Sequence, residues 1–247
     1  MKRLFTLVKN LVFPPRCAGC HALLSPDAAG EHAVFCAECA KEWHAELCLQ
    51  CPSCFAAYPE CRCQSGVMKK AGSAGLLKLA PYGDTPRERV VRRIVLDLKR
   101  NPRQRVVRML ASELAVSLDK ELEKLGWERG SVVLVHLPRD VRAIRRYGAD
   151  QSALLARALA AQTGLSHLPV LYRTKRVKQQ KKLTATERAS NLRGAFAARE
   201  IPENCRAVLV DDVVTTGASL SAGVHALRKQ GVKEILCVSV AQTPKKH

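Results

Sequence analysis

Short apolar runs alternate with amphipathic helical patterns over the last two thirds of the chain. Helical spacing of apolar residues predicts several helices in this region. One begins at Pro86, another ends near Leu125, and two more follow Gln151 and Ser219. Nearly continuous apolar runs are expected of parallel strands that are covered on both faces. Runs of this kind cover residues 76–82, 131–137, 168–172, 207–210 and 235–240. The alternation predicts an α/β fold with a doubly wound parallel sheet flanked by helices.

One strand-to-helix junction carries an unusual set of polar residues. The run 207–210 ends at two adjacent carboxylates, and a loop rich in small and hydroxyl residues leads into the next helix. Loop amides, hydroxyls and a helix N-terminus can hold a phosphate, while the carboxylates can accept hydrogen bonds from ribose hydroxyls. The alternative is an ordinary strand–turn–helix unit whose carboxylates interact only with the helix dipole. The residues that carry this site are Asp211, Asp212, Val213, Thr215, Thr216, Gly217, Ala218 and Ser219.

Nine of the eleven cysteines lie between Cys17 and Cys63. Their spacing predicts two four-thiolate sites of a double zinc ribbon, in which zinc is structural because no coordination position is left open for water. The count of one or two ions stays open, because the second set ends in a tight C-x-C pair and Cys48 lies close to it. We expect the ligands to be Cys17, Cys20, Cys36, Cys39, Cys51, Cys54, Cys61 and Cys63.

Composition adds a domain division and a class of partner. We predict a cysteine-rich domain over residues 1–66 that begins with a short amphipathic helix, a linker over 67–75 and an α/β domain over 76–247. The formal charge of +19 favours polyanionic partners such as nucleotides or nucleic acid. Because there is no long apolar segment and no secretory signal, a cytoplasmic location is expected.

Several stretches resemble the ComF (ComFC) family of competence-associated proteins, which are related to amidophosphoribosyltransferases. They include L-V-F-P-P-R-C-A-G-C near the start, G-A-D-Q-S-A-L-L-A-R from Gly148, and the segment from Gln180 to Phe196. The junction at residues 208–220 resembles the phosphoribosyl diphosphate (PRPP) signature of type I phosphoribosyltransferases. Tyr147, Ala149 and Asp150 differ from the residues that the family prefers.

The resemblance implies that the chain binds PRPP with Mg²⁺ and is associated with competence and DNA uptake. The ribose hydroxyls would then lie on Asp211 and Asp212, and the 5′-phosphate on residues 215–219. We expect Pro138 and Arg139 to bind the pyrophosphate, and Arg173 and Lys175 to close over the site. Two roles stay open: a phosphoribosyltransferase of unknown acceptor, or a non-catalytic PRPP sensor or scaffold. Single-stranded DNA and a competence helicase are the partners implied.

Overall fold

The computed structural model describes residues 14–24, 33–83, 89–100, 102–174 and 194–244. The helices in these ranges are α1 (Ala37–Leu47), α2 (Gly66–Ala71), α3 (Arg89–Arg100), α4 (Gln104–Leu125), α5 (Val141–Tyr147), α6 (Gln151–Thr163) and α7 (Ala218–Lys229). The strands are β1 (Leu76–Pro81), β2 (Val132–His136), β3 (Ser166–His167), β4 (Leu171–Arg173), β5 (Phe196–Ala198), β6 (Arg206–Val214) and β7 (Ile235–Gln242). Short 3₁₀ helices cover Tyr58–Glu60 and Arg129–Ser131.

Five strands form a parallel sheet in the order β1-β7-β6-β2-β3. This confirms the α/β fold that the alternating pattern predicts. The sequence predicts a strand of the parallel sheet at residues 168–172. This prediction is wrong, because β4 lies outside the sheet and pairs antiparallel with β5. Its inward residue Leu171 packs into a core cluster below the sheet, which accounts for its strand-like composition without placing it in the parallel array.

Alternate residues of the central strands face two separate cores. In β6, Val208 and Val210 belong to the cluster formed with α3, α4 and α6, whereas Ala207 and Leu209 belong to the cluster formed with α2 and α7. All four side chains are fully buried. Burial of each Val or Leu contributes about 1.5–3 kcal/mol. The sheet is therefore a rigid platform whose carboxyl edge can hold a site.

The segment predicted as a linker contains helix α2. Its composition of small and charged residues favours a flexible connection, but Met68 and Ala71 are buried against α7 and stabilise the helix. Gly72, in the left-handed conformation with φ of 87°, ends it. The domain boundary in this region stays a prediction. The predicted helix within residues 1–13 and most of the basic segment 174–193 lie outside the described residues.

Within the described ranges, no helix combines the length and the apolar character that are needed to cross a membrane.

Candidate functional site

The order of the strands places a crevice between β6 and β2. In sequence β2 is followed by β3, which lies on one side of it, whereas β6 is followed by β7, which lies on the opposite side. Where successive connections diverge in this way, ligands bind outside the carboxyl ends of the strands. The carboxyl ends of β2 and β6 carry the Pro138–Arg139 turn and the acidic pair, so the structure brings two predicted parts of the site to one edge.

Strand β6 is longer than the sequence pattern predicts. The expectation that it ends before the acidic pair is wrong, because β7 continues alongside it and pairs Asp211 with Ser239 and Val214 with Gln242. Pairing with β2 does stop there, at His136 opposite Val210. The acidic pair is therefore held firmly by β7 and open on the side of β2.

Asp211 is held by hydrogen bonds at this open side. Its Oδ1 accepts from the Ser152 hydroxyl and from the Asp212 amide, each at 2.9 Å. Burial, reinforced by the charge of Asp212, raises the pKa of Asp211 well above its ordinary value. A ligand or cation that compensates this charge would favour the ionised form of the carboxyl.

Asp212 has a different role in the local structure. Its Oδ1 accepts a hydrogen bond from the Val213 amide at 2.8 Å. Each carboxylate thus satisfies the amide that follows it, at a place where β2 no longer supplies a ladder partner. Both side chains are partly exposed at the crevice.

The loop 215–219 forms a small hollow at the N-terminus of α7. Gly217 adopts the left-handed conformation with φ of 79° and precedes the first turn of the helix. The Ala218 amide donates to the Thr216 hydroxyl at 3.3 Å. The hollow has a volume of about 40 Å³, which exceeds what one water needs. It is lined by Asp211 and residues 213–220. Loop amides and the positive end of a helix suit an anion.

The Pro138–Arg139 turn is fixed by Asp150, a residue that sequence reasoning did not assign to the site. Asp150 Oδ2 accepts from the Arg139 amide at 2.9 Å, and its Oδ1 accepts from the Ala153 amide at 3.1 Å as the N-cap of α6. The Arg139 guanidinium lies 5.1 Å from the centre of the Tyr147 ring, and its buried Nη1 has no hydrogen-bond partner among the described residues. Gln151 is 3% exposed, and within the same ranges both of its side-chain polar atoms are unpartnered.

Of Arg173 and Lys175, the structure describes only Arg173. Arg173 lies in the separate β4–β5 sheet, with its guanidinium 4.9 Å from the centre of the Phe196 ring. Lys175 lies outside the described residues. Their part in closing the site stays a prediction.

Two histidines, one in β2 and one in β3, are in contact, and the sequence pattern does not predict this contact. His136 Nδ1 and His167 Nε2 are 2.9 Å apart. Burial lowers the pKa of both rings, that of His167 to about 4, with help from the charge of Arg157. Strand β3 has only two residues, so it has no periodicity from which the pairing could be found.

The eight predicted cysteine ligands form two separate tetrads. The first tetrad contains Cys17, Cys20, Cys36 and Cys39, and the second contains Cys51, Cys54, Cys61 and Cys63. Within each, the ligand sulfurs all lie within 4.8 Å of one another. Cys48 is exposed and belongs to neither tetrad.

The surroundings of the thiols fit metal ligation. Amides of Gly19 and Cys36 each donate to Cys17 Sγ at 3.3 Å. Burial acts to raise the pKa of Cys17, but backbone hydrogen bonds outweigh it and lower this pKa to about 7. In the second tetrad, Cys61 Sγ accepts from Lys78 Nζ at 3.0 Å. Four thiolates held by amides and a cation are the donor set of a structural zinc site, so both tetrads can hold zinc.

Comparison with known proteins supports this architecture. Residues 141–247 match the family model described as a phosphoribosyl transferase domain. Competence protein F of Haemophilus influenzae is 38% identical over 95 residues, which are 36% of this chain and 41% of that protein. The DNA utilization protein YhgH of Salmonella typhimurium is 28% identical over 207 residues, which are 83% of this chain and 88% of that protein. The first match thus spans less than half of its relative's length.

Two solved structures overlap with parts of the fold. The allosteric regulatory enzyme of purine biosynthesis has a TM-score of 0.37 at 18% identity, over 59% of this chain and 30% of that one. The protein TT1426 from Thermus thermophilus has a TM-score of 0.33 at 18% identity, over 57% of this chain and 85% of that one. At this level of overlap, the family match and the strand order define the fold, and not these two structures.

Sheet topology, crevice and family match define an α/β protein with a phosphoribosyltransferase-like domain, preceded by two cysteine tetrads. Both relatives are similar to this chain in sequence and their names refer to competence and DNA utilization, so the comparisons support the resemblance to the ComF family.

Proposed function

We propose that the protein binds PRPP together with Mg²⁺ in the crevice between β6 and β2 and acts as a phosphoribosyltransferase. The observation that carries this proposal is the partly buried Asp211, which is held by Ser152 next to Asp212 and opens onto the hollow of the loop 215–219. A pair of carboxylates suits two neighbouring ribose hydroxyls, and the adjacent hollow suits the 5′-phosphate.

The reaction replaces pyrophosphate by an acceptor at the anomeric carbon. The bond from this carbon to pyrophosphate breaks, the electron pair leaves with the pyrophosphate, and a new bond forms to the acceptor's nucleophile. Mg²⁺, when bound with PRPP, supplies charge neutralisation of phosphate oxygens with few protein ligands. Asp211 and Asp212 orient the ribose and stabilise the positive charge that develops on it. Asp150 orients the backbone amide of Arg139. The guanidinium Nη1 of Arg139 has no hydrogen-bond partner in the described part of the chain. Arg139 is therefore the candidate for holding the leaving pyrophosphate.

Calorimetry with PRPP and Mg²⁺ tests the proposal on the wild-type protein and on the double variant Asp211→Asn/Asp212→Asn. We expect the wild-type protein to bind and the double variant to lose at least tenfold in affinity, since hydrogen bonds to charged groups contribute about 1.5–3 kcal/mol. The variant Asp119→Asn, which removes a half-exposed carboxylate on α4 that pairs with Arg129, is the matched control. No binding by the wild-type protein would contradict the proposal.

Turnover is a separate measurement on the same samples. Pyrophosphate release that depends on an added acceptor supports the transferase. If PRPP binds and no acceptor among nucleobases and amines releases pyrophosphate, the non-catalytic sensor is favoured instead.

A second candidate function is binding of single-stranded DNA. The names of the two relatives refer to competence and to DNA utilization, and the formal charge of this chain is +19. Contacts to phosphates release counterions, so the affinity for a single-stranded oligonucleotide should fall steeply as salt rises. Fluorescence anisotropy at about 50 and 200 mM salt measures this slope, and affinity that is independent of salt would rule out a basic surface as the contact.

A further inference from the structure

Helix α2 lies directly behind the loop that forms the hollow. A Cβ added at Gly217 would come within 2.4 Å of Ser65 Oγ and 2.8 Å of Met68 Sδ. The Val67 carbonyl accepts a hydrogen bond from the Ser221 hydroxyl, in the first turn of α7, at 3.2 Å. Residues 65–68 are not among those that line the hollow. They therefore support the loop from behind, outside the lining of the hollow.

The second tetrad fixes the start of α2. Cys63 precedes Ser65 by two residues, and its carbonyl accepts from Lys78 Nζ at 2.8 Å. The same ammonium donates to Cys61 Sγ at 3.0 Å, and the Lys78 side chain is only 1% exposed in β1. A hydrogen bond from Gln64 Nε2 to the Ser73 carbonyl at 2.9 Å spans the helix from end to end. The tetrad, the central sheet and α2 are thus joined by buried contacts.

The far end of α2 is tied to the far end of α7. Arg228 Nη2 donates to the Gly72 carbonyl at 2.7 Å. Helix α2 is therefore attached to α7 at both ends, and a shift of its N-terminus moves the wall of residues 65–68 against Gly217.

The first tetrad has the same chemistry and different neighbours. The Gly19 carbonyl, between its first two cysteines, accepts from Arg93 Nη1 of α3 at 3.0 Å. Glu46 of α1 accepts from the amides of Val90 and Val91, each at 2.8 Å. Cys17 and Cys39 pack in the core on the α3 and α4 side, whereas Met68 packs in the core with α7. The first tetrad is therefore an internal control for any effect of the second.

We propose that the second tetrad positions the loop 215–219 through α2, so that metal bound by these four cysteines and PRPP bound at the loop strengthen each other's binding. The inference rests on the proposed function. Without a metal, four mutually close thiols no longer hold residues 51–63 in one arrangement, and the N-terminal anchor of α2 is lost. The ligand must then order α2 and the loop itself, and this lowers its affinity. Because linkage is reciprocal, PRPP must raise the metal affinity of the second tetrad by the same factor.

The test compares Cys54→Ser with Cys20→Ser, since both cysteines are exposed members of their tetrads. Elemental analysis should show one zinc fewer in each variant than in the wild-type protein. We expect the affinity for PRPP with Mg²⁺, measured by calorimetry, to fall about tenfold in Cys54→Ser, within the usual range of coupling between sites. In Cys20→Ser it should stay within about twofold of wild type.

The reciprocal arm measures zinc retention against a chelator, with and without PRPP. In Cys20→Ser, which keeps the second tetrad, PRPP should slow zinc loss and raise zinc affinity about tenfold. In Cys54→Ser, which keeps the first tetrad, PRPP should have no effect, and this controls for zinc binding by PRPP itself. The wild-type protein gives the same comparison with all eight cysteines present, so the arm stays informative if Cys54→Ser does not fold.

The possible outcomes separate the two proposals. Equal PRPP affinity in the wild-type protein and both variants, equal loss in both variants, or no protection of wild-type zinc by PRPP would each overturn the inference and leave PRPP binding intact. If the wild-type protein does not bind PRPP at all, the proposed function fails and the inference fails with it.

Discussion

Asp211 and Asp212 are adjacent in sequence and have unequal surroundings. Asp211 accepts a hydrogen bond from the Ser152 hydroxyl, and partial burial of its carboxyl together with the charge of Asp212 raises its pKa. A protonated carboxyl is a poor partner for a ribose hydroxyl that lies near a divalent cation. Binding of a cation beside Asp211 favours its ionised form and should therefore be coupled to the loss of any proton held there.

We predict that PRPP and Mg²⁺ displace this proton. Affinity should rise with pH above the ordinary aspartate range, because binding selects the ionised form of a group whose pKa is raised. Calorimetry in two buffers of different ionisation enthalpy should show proton release by the wild-type protein and none by Asp211→Asn. The control substitution Asp119→Asn should leave proton release unchanged. Identical binding heats in the two buffers for the wild-type protein would contradict the prediction.

The His136–His167 pair makes stability depend on pH. Burial lowers the pKa of His167 from 6.5 to about 4 in the folded state, so the unfolded chain takes up the proton first as pH falls. The contribution of this ring is complete above pH 6.5 and is lost as pH falls towards 4. Neighbouring Asp150 opposes the shift at His136, while Arg157 reinforces it at both rings.

We therefore predict that His167→Gln unfolds with a Tm that falls less between about pH 7 and pH 5 than that of the wild-type protein. Thermal unfolding followed by circular dichroism measures the difference. His225→Gln, at an exposed position on α7, is the control and should follow the wild-type curve. Parallel curves for all three proteins would show that the pair does not titrate on unfolding.

At the scale of elements, the sequence predicts the strands and helices that depend on neighbouring residues. It misses those that depend on contacts between residues distant in sequence. Strands β1, β2 and β7 follow from their apolar runs. The last residues of β6 do not, because polar Asp211 and Asp212 become strand only through the ladder with β7. The sequence predicts a linker where helix α2 lies. The helix is missed because the burial of Met68 against α7 stabilises it, and such tertiary packing outweighs local propensity.

The close approach of α2 to the loop gives a prediction at this scale. Gly217→Ala should lower the free energy of unfolding by more than Gly126→Ala. Both glycines have positive φ, 79° and 63°, and a left-handed alanine costs about 1–2 kcal/mol. Of the two, only Gly217 would bring the added Cβ against α2, because among the described residues nothing beyond its own chain neighbourhood lies within 4 Å of a Cβ at Gly126. Urea unfolding measures the free energy of unfolding of both variants. Equal losses would mean that α2 moves away from the added Cβ without a cost in free energy.

At the scale of the whole molecule, the sequence predicts the ligands of both tetrads. It does not predict which helices each tetrad packs against. C-x2-C spacing is local, and all eight predicted ligands come together. That one tetrad packs on α3 and the other supports α2 depends on contacts between distant residues, such as Arg93 with Gly19. The contacts of Lys78 do not follow from its own strand, because its partner Cys61 lies 17 positions away.

The position of β1 at the end of the sheet has a consequence for any attempt to separate the two parts of the chain. Strand β1 pairs with β7 on one side only, and its other side is covered by the cysteine-rich region: the Leu76 amide meets the Arg62 carbonyl at 3.4 Å, and Lys78 binds Cys61 and Cys63. A fragment begun at residue 76 would present a bare, apolar edge strand, which readily pairs with another copy. We predict that this fragment self-associates, whereas the full chain does not do so through this edge. Light scattering at increasing concentration compares the two, and a monodisperse fragment would show that the α/β domain is an autonomous folding unit.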